Sequence, residues 1–129
     1  MKRTVFLLAI VALLVACQES LEDRCAREAK EYTEKKCPTL VIKDVTLDSL
    51  QFEKASHTLQ YCYTLGGVLD DSAALRQHDL RGSLLKELKN STTMQQYKDA
   101  GYTFRYTYYS HNQPGMLLYD AIYREKDYK

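Results

Sequence analysis

After one uninterrupted apolar run, the chain alternates between helical and strand-like hydrophobic periods. The run extends from Val5 to Ala16, behind Lys2-Arg3 and ahead of the polar stretch Gln18-Glu19-Ser20. It is too short to cross a bilayer, which takes roughly 20 apolar residues. Leu21, Cys25, Ala29 and Tyr32 then recur at spacings of four, four and three, which predicts a helix over Leu21 to Lys36. Ser20 and Asp23 supply a capping-box start, and Pro38 a stop. The other helix faces are charged and read as solvated.

From Thr39 to Lys54 the pattern is extended. Val41, Val45 and Leu47 are apolar at odd positions, then Leu50 and Phe52 at even ones, so a bulge is expected near Asp48-Ser49. Lys54-Ala55-Ser56 reads as a turn into a second strand, His57 to Leu65, with Leu59, Tyr61, Tyr63 and Leu65 on one face and Thr58, Gln60, Cys62 and Thr64 on the other. Asp70-Asp71-Ser72 opens a helix striped by Leu80, Leu84 and Leu88 and ending at Asn90. Thr92 and Gln95 resemble a second capping box, opening a short helix to Asp99 that Gly101 closes. Tyr102 to Tyr109 and Met116 to Arg124 are strands joined by the Ser110 to Gly115 loop, and Lys126 to Lys129 reads as a polar tail. The fold class this predicts is α+β over residues 21–129: an antiparallel sheet of two hairpins with helices packed on one face, in the order helix-strand-strand-helix-helix-strand-strand.

Charge and cysteine usage narrow the partners. The chain carries 18 Lys and Arg against 17 Asp and Glu. Such a balance is not that of a nucleic-acid binder, which shows a basic face and a high pI. Eleven tyrosines and no tryptophan mean that tyrosine supplies much of the packing.

At the end of the apolar run, Leu14-Val15-Ala16-Cys17 resembles the lipobox of bacterial lipoproteins. The resemblance implies a signal peptide over residues 1–16, lipid on the Cys17 thiol, an acylated new amino terminus, and a tether of residues 17–20. Loss of Lys2 and Arg3 leaves 16 basic against 17 acidic residues, a net charge of about −1. The expected location is the bacterial cell envelope, with the membrane as one partner through Cys17. Gln18 resembles the pattern sent to the outer membrane where the cell has two.

Lipidation of Cys17 leaves Cys25, Cys37 and Cys62, an odd number. Cys25 and Cys37 lie about 18 Å apart if both ride one helix, beyond disulfide reach. With the turn at residues 54–56, Cys37 falls some 36 Å from Cys62 along the strand. Cys25–Cys62 is therefore the expected pair, against the obstacle that Cys62 shares a face with Thr58 and Gln60.

A second resemblance rests on Cys37-Pro38 with Val41, on Thr46-Leu47-Asp48-Ser49-Leu50, on Thr58-Leu59 with Tyr61, Tyr63, Thr64 and Leu65, and on Ala100-Gly101 with Thr103, Phe104, Tyr106 and Tyr108. Over Cys37 to Arg124 the chain is similar to a family of small secreted or lipid-anchored bacterial proteins without assigned activity. That resemblance brings no catalytic residues.

The chemistry-bearing residues point the same way. His57, His78 and His111 are isolated, Gly66-Gly67 is a strand-end turn, and Asp70-Asp71 suits a helix start. Three cysteines with His57 match no familiar zinc spacing. Neither a catalytic set, a metal site nor a cofactor is expected. The expected function is a lipid-anchored envelope interaction module with a protein partner, and Tyr108, Tyr109, His111 and Tyr119 around the Ser110 to Gly115 loop are the expected contact residues. An inhibitor or immunity protein acting on an envelope enzyme is the alternative, and a small enzyme a more distant one.

Overall fold

A computed structural model describes residues 19–129, so the expected signal peptide, Cys17 and Gln18 lie outside the described residues. The elements are α1 (Leu21–Lys36), β1 (Thr39–Ile42), β2 (Val45–Glu53), β3 (Thr58–Leu65), α2 (Ser72–Arg76), α3 (Leu80–Asn90), α4 (Gln95–Asp99), β4 (Thr103–Ser110), β5 (Leu117–Tyr123) and α5 (Glu125–Tyr128). The architecture is α+β, with five strands in the order β1-β2-β3-β4-β5. The two expected hairpins are present as β2–β3 and β4–β5, both antiparallel. They meet side by side through β3 and β4, which run parallel, so the sheet is mixed rather than wholly antiparallel. The reason lies in the connection from Gly66 to Tyr102. It carries three helices and is long enough to return the chain to the end of the sheet where β3 begins.

The Thr39 to Lys54 region is two strands, not one. The chain reverses at Lys43-Asp44, with Asp44 at a positive φ of 66°, and Val45 pairs back onto Ile42. The expected bulge is where the phase switch put it, between Leu47 and Ser49. The helix expected to reach Asn90 is broken: α2 ends at Arg76, and Asp79 restarts α3 by accepting the Gly82 N–H at 3.0 Å. The Thr92–Gln95 box does not form; α4 begins after Met94 without a side-chain cap, while Gln95 reaches Asp99 at 2.7 Å. Gly101, at φ 77°, does close that helix. The polar tail is a helical turn whose Tyr128 is buried, its hydroxyl donating to the Tyr102 carbonyl at 2.7 Å.

The helices cover one face of the sheet. Beneath them lie Leu59, Leu65, Phe104, Tyr106, Tyr108, Ala121 and Tyr123, packed against Cys25, Ala29, Leu84, Leu88 and Tyr97. The parallel register sets Tyr61 opposite Tyr106 and Tyr63 opposite Tyr108, and each pair stacks, at 4.8 and 4.7 Å between ring centroids. The tyrosine stripe is therefore largely core. Thr33 on α1 ties the helix to the sheet edge where β1 has stopped, accepting the Leu50 N–H at 2.9 Å.

The sheet gives the molecule two distinct ends. At one, Lys54 and His57 of the β2–β3 turn reach Asp23 and Glu22 at the start of α1, at 2.5 and 2.8 Å. At the other, the β1–β2 turn, the end of β3 and the β4–β5 loop are tied together. The Gly66 N–H bonds to the Asp44 carbonyl at 2.9 Å, His111 N–H to the Leu65 carbonyl at 3.0 Å, and Asn112 N–H to Asp70 at 2.9 Å. The chain thus enters the fold at the first end, and α1 alone spans about 24 Å toward the second.

Candidate interaction groove

The sequence run Leu40-Val41-Ile42 explains the most distinctive surface. It is a four-residue edge strand with apolar side chains on both sides, and Leu40, Val41 and Ile42 are 68, 53 and 63 % exposed. A scattered exposed leucine means little, but three large apolar residues in a row on a sheet edge make a candidate contact surface. Beside it a groove of about 310 Å³ opens between β1 and the α2–α3 pair. Val41, Ile42 and Val45 form one wall, Leu69, Leu75 and Leu80 the other, and the stacked Tyr63 and Tyr108 the floor. The break between α2 and α3 matters here, because it places Leu75 and Leu80 on separate helices that both face β1.

Polar groups also stand in this apolar setting, His78 and Ser83 at its margin and three more that bear on a ligand. Neither the Tyr63 nor the Tyr108 hydroxyl makes a hydrogen bond among the described residues, although Tyr97, Tyr123 and Tyr128 all do. Burial first, with Glu87 contributing, pushes both phenols up, so they remain protonated. Glu87 lines the groove at its solvent-exposed rim and has no ion pair among the described residues.

The expected contact residues are only partly brought together. Tyr108 is buried and forms groove floor, with Tyr119 tilted against it at 6.3 Å. Tyr109 points the opposite way by strand alternation and is half-buried on the sheet's other face. His111 is exposed on the loop. The sequence reading missed the groove because it took β1 and β2 as one strand. The signal was present in three consecutive apolar residues followed by Lys43-Asp44, which breaks the alternation that a longer strand would show.

The Cys25–Cys62 disulfide is not formed. Both thiols are free, as is Cys37. Cys25 is buried under α1 on the helical side, and burial pushes its thiol up to about 12. Cys62 shares the opposite face with Gln60 and Thr64, and sheet backbone separates the two.

A second cavity, of about 430 Å³, lies on that opposite face, lined by Gln60, Arg105 and Arg124 among others. Its central polar groups are already committed. Arg105 holds Asp120 through two bonds of 2.9 and 2.8 Å, Thr107 donates to Asp120 at 3.0 Å, and Gln60 donates to Thr107 at 2.9 Å. Among the described residues no group of three His, Cys, Asp or Glu side chains gathers to hold a metal, and no helix is long and apolar enough to cross a membrane.

The fold recurs in solved structures. A candidate secreted protein from Pseudomonas aeruginosa superposes with a TM-score of 0.67 at 11% identity, covering 87% of this chain and 100% of that one. The pilotin EpsS of the Vibrio vulnificus type 2 secretion system gives 0.57 at 13% identity, covering 84% and 92%. The type II secretion system pilotin AspS of Vibrio cholerae gives 0.58 at 13% identity, covering 83% and 91%. At these identities the likeness is one of fold. No curated protein matches the sequence. Residues 20–119 match a family described as a domain of unknown function, DUF8479, and the chain belongs to that family.

Proposed function

We propose that this protein is a lipid-anchored interaction module of the bacterial envelope, held to the membrane through Cys17 and binding a protein partner in the groove between β1 and α2–α3. The carrying observation is the groove itself, an apolar channel beside three exposed large side chains on a sheet edge. Its position supports the reading. The tether of residues 17–20 extends only roughly 10 Å, so the lipid holds the end where α1 begins. The groove opens toward the other end, reachable by a partner. The fold it shares with two secretion-system pilotins and a candidate secreted protein fits an envelope role. In this reading the protein catalyses no reaction.

The test is chemical crosslinking in intact cells followed by affinity capture, comparing wild type with the double variant Val41→Asp/Ile42→Asp. Both positions are more than half exposed, so the variant should fold. Wild type should yield a discrete envelope protein that the variant, in the same membrane fraction, fails to yield. Equal capture by both rejects the groove. Mass spectrometry of the amino-terminal peptide tests the anchor, and an unmodified Cys17 rejects it.

A further inference from the structure

We propose that the groove selects a partner segment that brings one lysine or arginine side chain to Glu87, in the groove floored by Tyr63 and Tyr108. This rests on the groove being the docking site and adds what that site recognises. Three observations converge. Among the described residues Glu87 is the only carboxylate lining the groove, whose other lining is apolar apart from His78, Ser83 and the two tyrosine hydroxyls. Its helical neighbours at three and four residues are Ser83, Leu84, Asn90 and Ser91, none of them basic. The usual intrahelical partner is therefore missing, and Glu87 has no ion pair among the described residues. Tyr108 is 6 % exposed and Tyr63, its stacking partner, half-buried, and neither hydroxyl makes a hydrogen bond among the described residues.

The hydroxyls of Tyr97, Tyr123 and Tyr128 find partners within the fold, whereas those of Tyr63 and Tyr108 are left to solvent, since no side-chain oxygen shut away from water lacks a partner among the described residues. On the floor of an open groove beside the exposed Glu87 carboxylate, two hydroxyls that can each donate or accept would lose water to an occupant, and the carboxylate can only accept. Ammonium and guanidinium groups are donors only and carry the complementary charge. A carboxylate or phosphate ligand would meet Glu87 with like charge. A purely apolar ligand would bury all three polar groups unpaired, which is costly. A second copy of the chain would bring its own Glu87 to a face already bearing one. The matching occupant is thus an apolar segment of a partner protein carrying a single cation.

The experiment uses the purified full chain in lipid nanodiscs, with empty nanodiscs as the blank. The probes are three fluorescein-labelled 18-residue amphipathic peptides of leucine, alanine and glutamine, bearing lysine, glutamine or glutamate at one central position bordering the apolar stripe. Fluorescence anisotropy should show the lysine peptide binding about tenfold more tightly than the glutamine peptide, the scale of a charge-assisted hydrogen bond, and the glutamate peptide more weakly still. Glu87→Gln should erase that order while leaving binding of the glutamine peptide within about twofold, since the side-chain shape is retained. Tyr63→Phe with Tyr108→Phe should shrink the lysine preference partway. Equal binding of the three peptides to wild type overturns the inference and leaves groove docking standing, as does a lysine preference that survives Glu87→Gln. Failure of every peptide to bind rejects docking and the inference together. A concentration-dependent dimer that Ile42→Asp abolishes would assign the groove to a second copy and overturn the inference too.

Discussion

Replacing tyrosine by phenylalanine at five positions separates hydroxyls used by the fold from hydroxyls left for a ligand. The ring stays, so packing is retained and only the hydroxyl is read. Tyr97 donates to Glu28 at 2.7 Å, and hydrogen bonds to charged groups stabilise by about 1.5–3 kcal/mol. Glu28 is 39 % exposed, which places the expected loss at about 1–2 kcal/mol. Tyr123 donates to the Arg81 carbonyl and Tyr128 to the Tyr102 carbonyl, both at 2.7 Å, so each should cost about 1 kcal/mol. Tyr63 and Tyr108 make no such bond among the described residues, and their variants should lie within about 0.5 kcal/mol of wild type or be slightly more stable. With a urea slope of about 1.5 kcal/mol/M, the Tyr97 variant loses roughly 1 M in midpoint while the Tyr63 and Tyr108 variants hold theirs. The assay is urea unfolding followed by tyrosine fluorescence and far-ultraviolet dichroism. A loss of 1 kcal/mol or more for Tyr108→Phe would mean that its hydroxyl is bonded within the fold, and would refute the claim that it is free for a ligand.

Other elements make independent predictions. Lys98 is buried, with its ammonium donating to the Leu88 and Lys89 carbonyls at 2.8 and 3.0 Å, so it closes the end of α3. Lys98→Met should cost about 1–3 kcal/mol in the same unfolding assay by leaving those acceptors unpaired, and a neutral effect would refute the role. The bonds from Arg105 hold Asp120 below the usual carboxylate range despite the opposing effect of its burial. A depressed folded pKa stabilises above the unfolded value of about 3.9 and is lost as pH falls through the folded one. Wild type should therefore lose more urea resistance between pH 7 and pH 3 than Asp120→Asn, and parallel losses would contradict this. The Cys25 thiol, 2 % exposed and pushed up to about 12 by burial and then by Glu28, should resist iodoacetamide at pH 8 until urea is added. The half-buried Cys37 and Cys62 should react before it, and alkylation of all three at one rate would contradict the fold.

Local signals in the sequence were read well because they are settled by neighbours a few residues apart. Ser20 caps α1 through the Asp23 N–H, the phase switch at Asp48-Ser49 is a real bulge, and Gly101 closes α4. What the sequence concealed depends on distant partners. Nothing within Thr58 to Leu65 says that its neighbour is parallel, because that follows from where three intervening helices return the chain. The Leu80-Leu84-Leu88 stripe hid the break at Gln77 to Asp79, although Leu75 would fall about 140° from Leu80 on a continuous helix and so sits off that stripe. Tyr128 looked like part of a charged tail, and only its bond to the Tyr102 carbonyl shows that it is core. The groove needed both failures repaired, a separate β1 and a divided α2–α3. Of the expected contact residues only Tyr108 lines it, as floor rather than as exposed surface.

The most direct measurement is site-specific photocrosslinking in living cells, with a photoreactive amino acid placed in turn at Ile42 beside the groove and at Gln51, exposed on the opposite sheet face. The account predicts a discrete adduct with one envelope protein from position 42 and none from position 51. An adduct from position 51 alone would place the partner on the open sheet face and contradict the groove as the docking site.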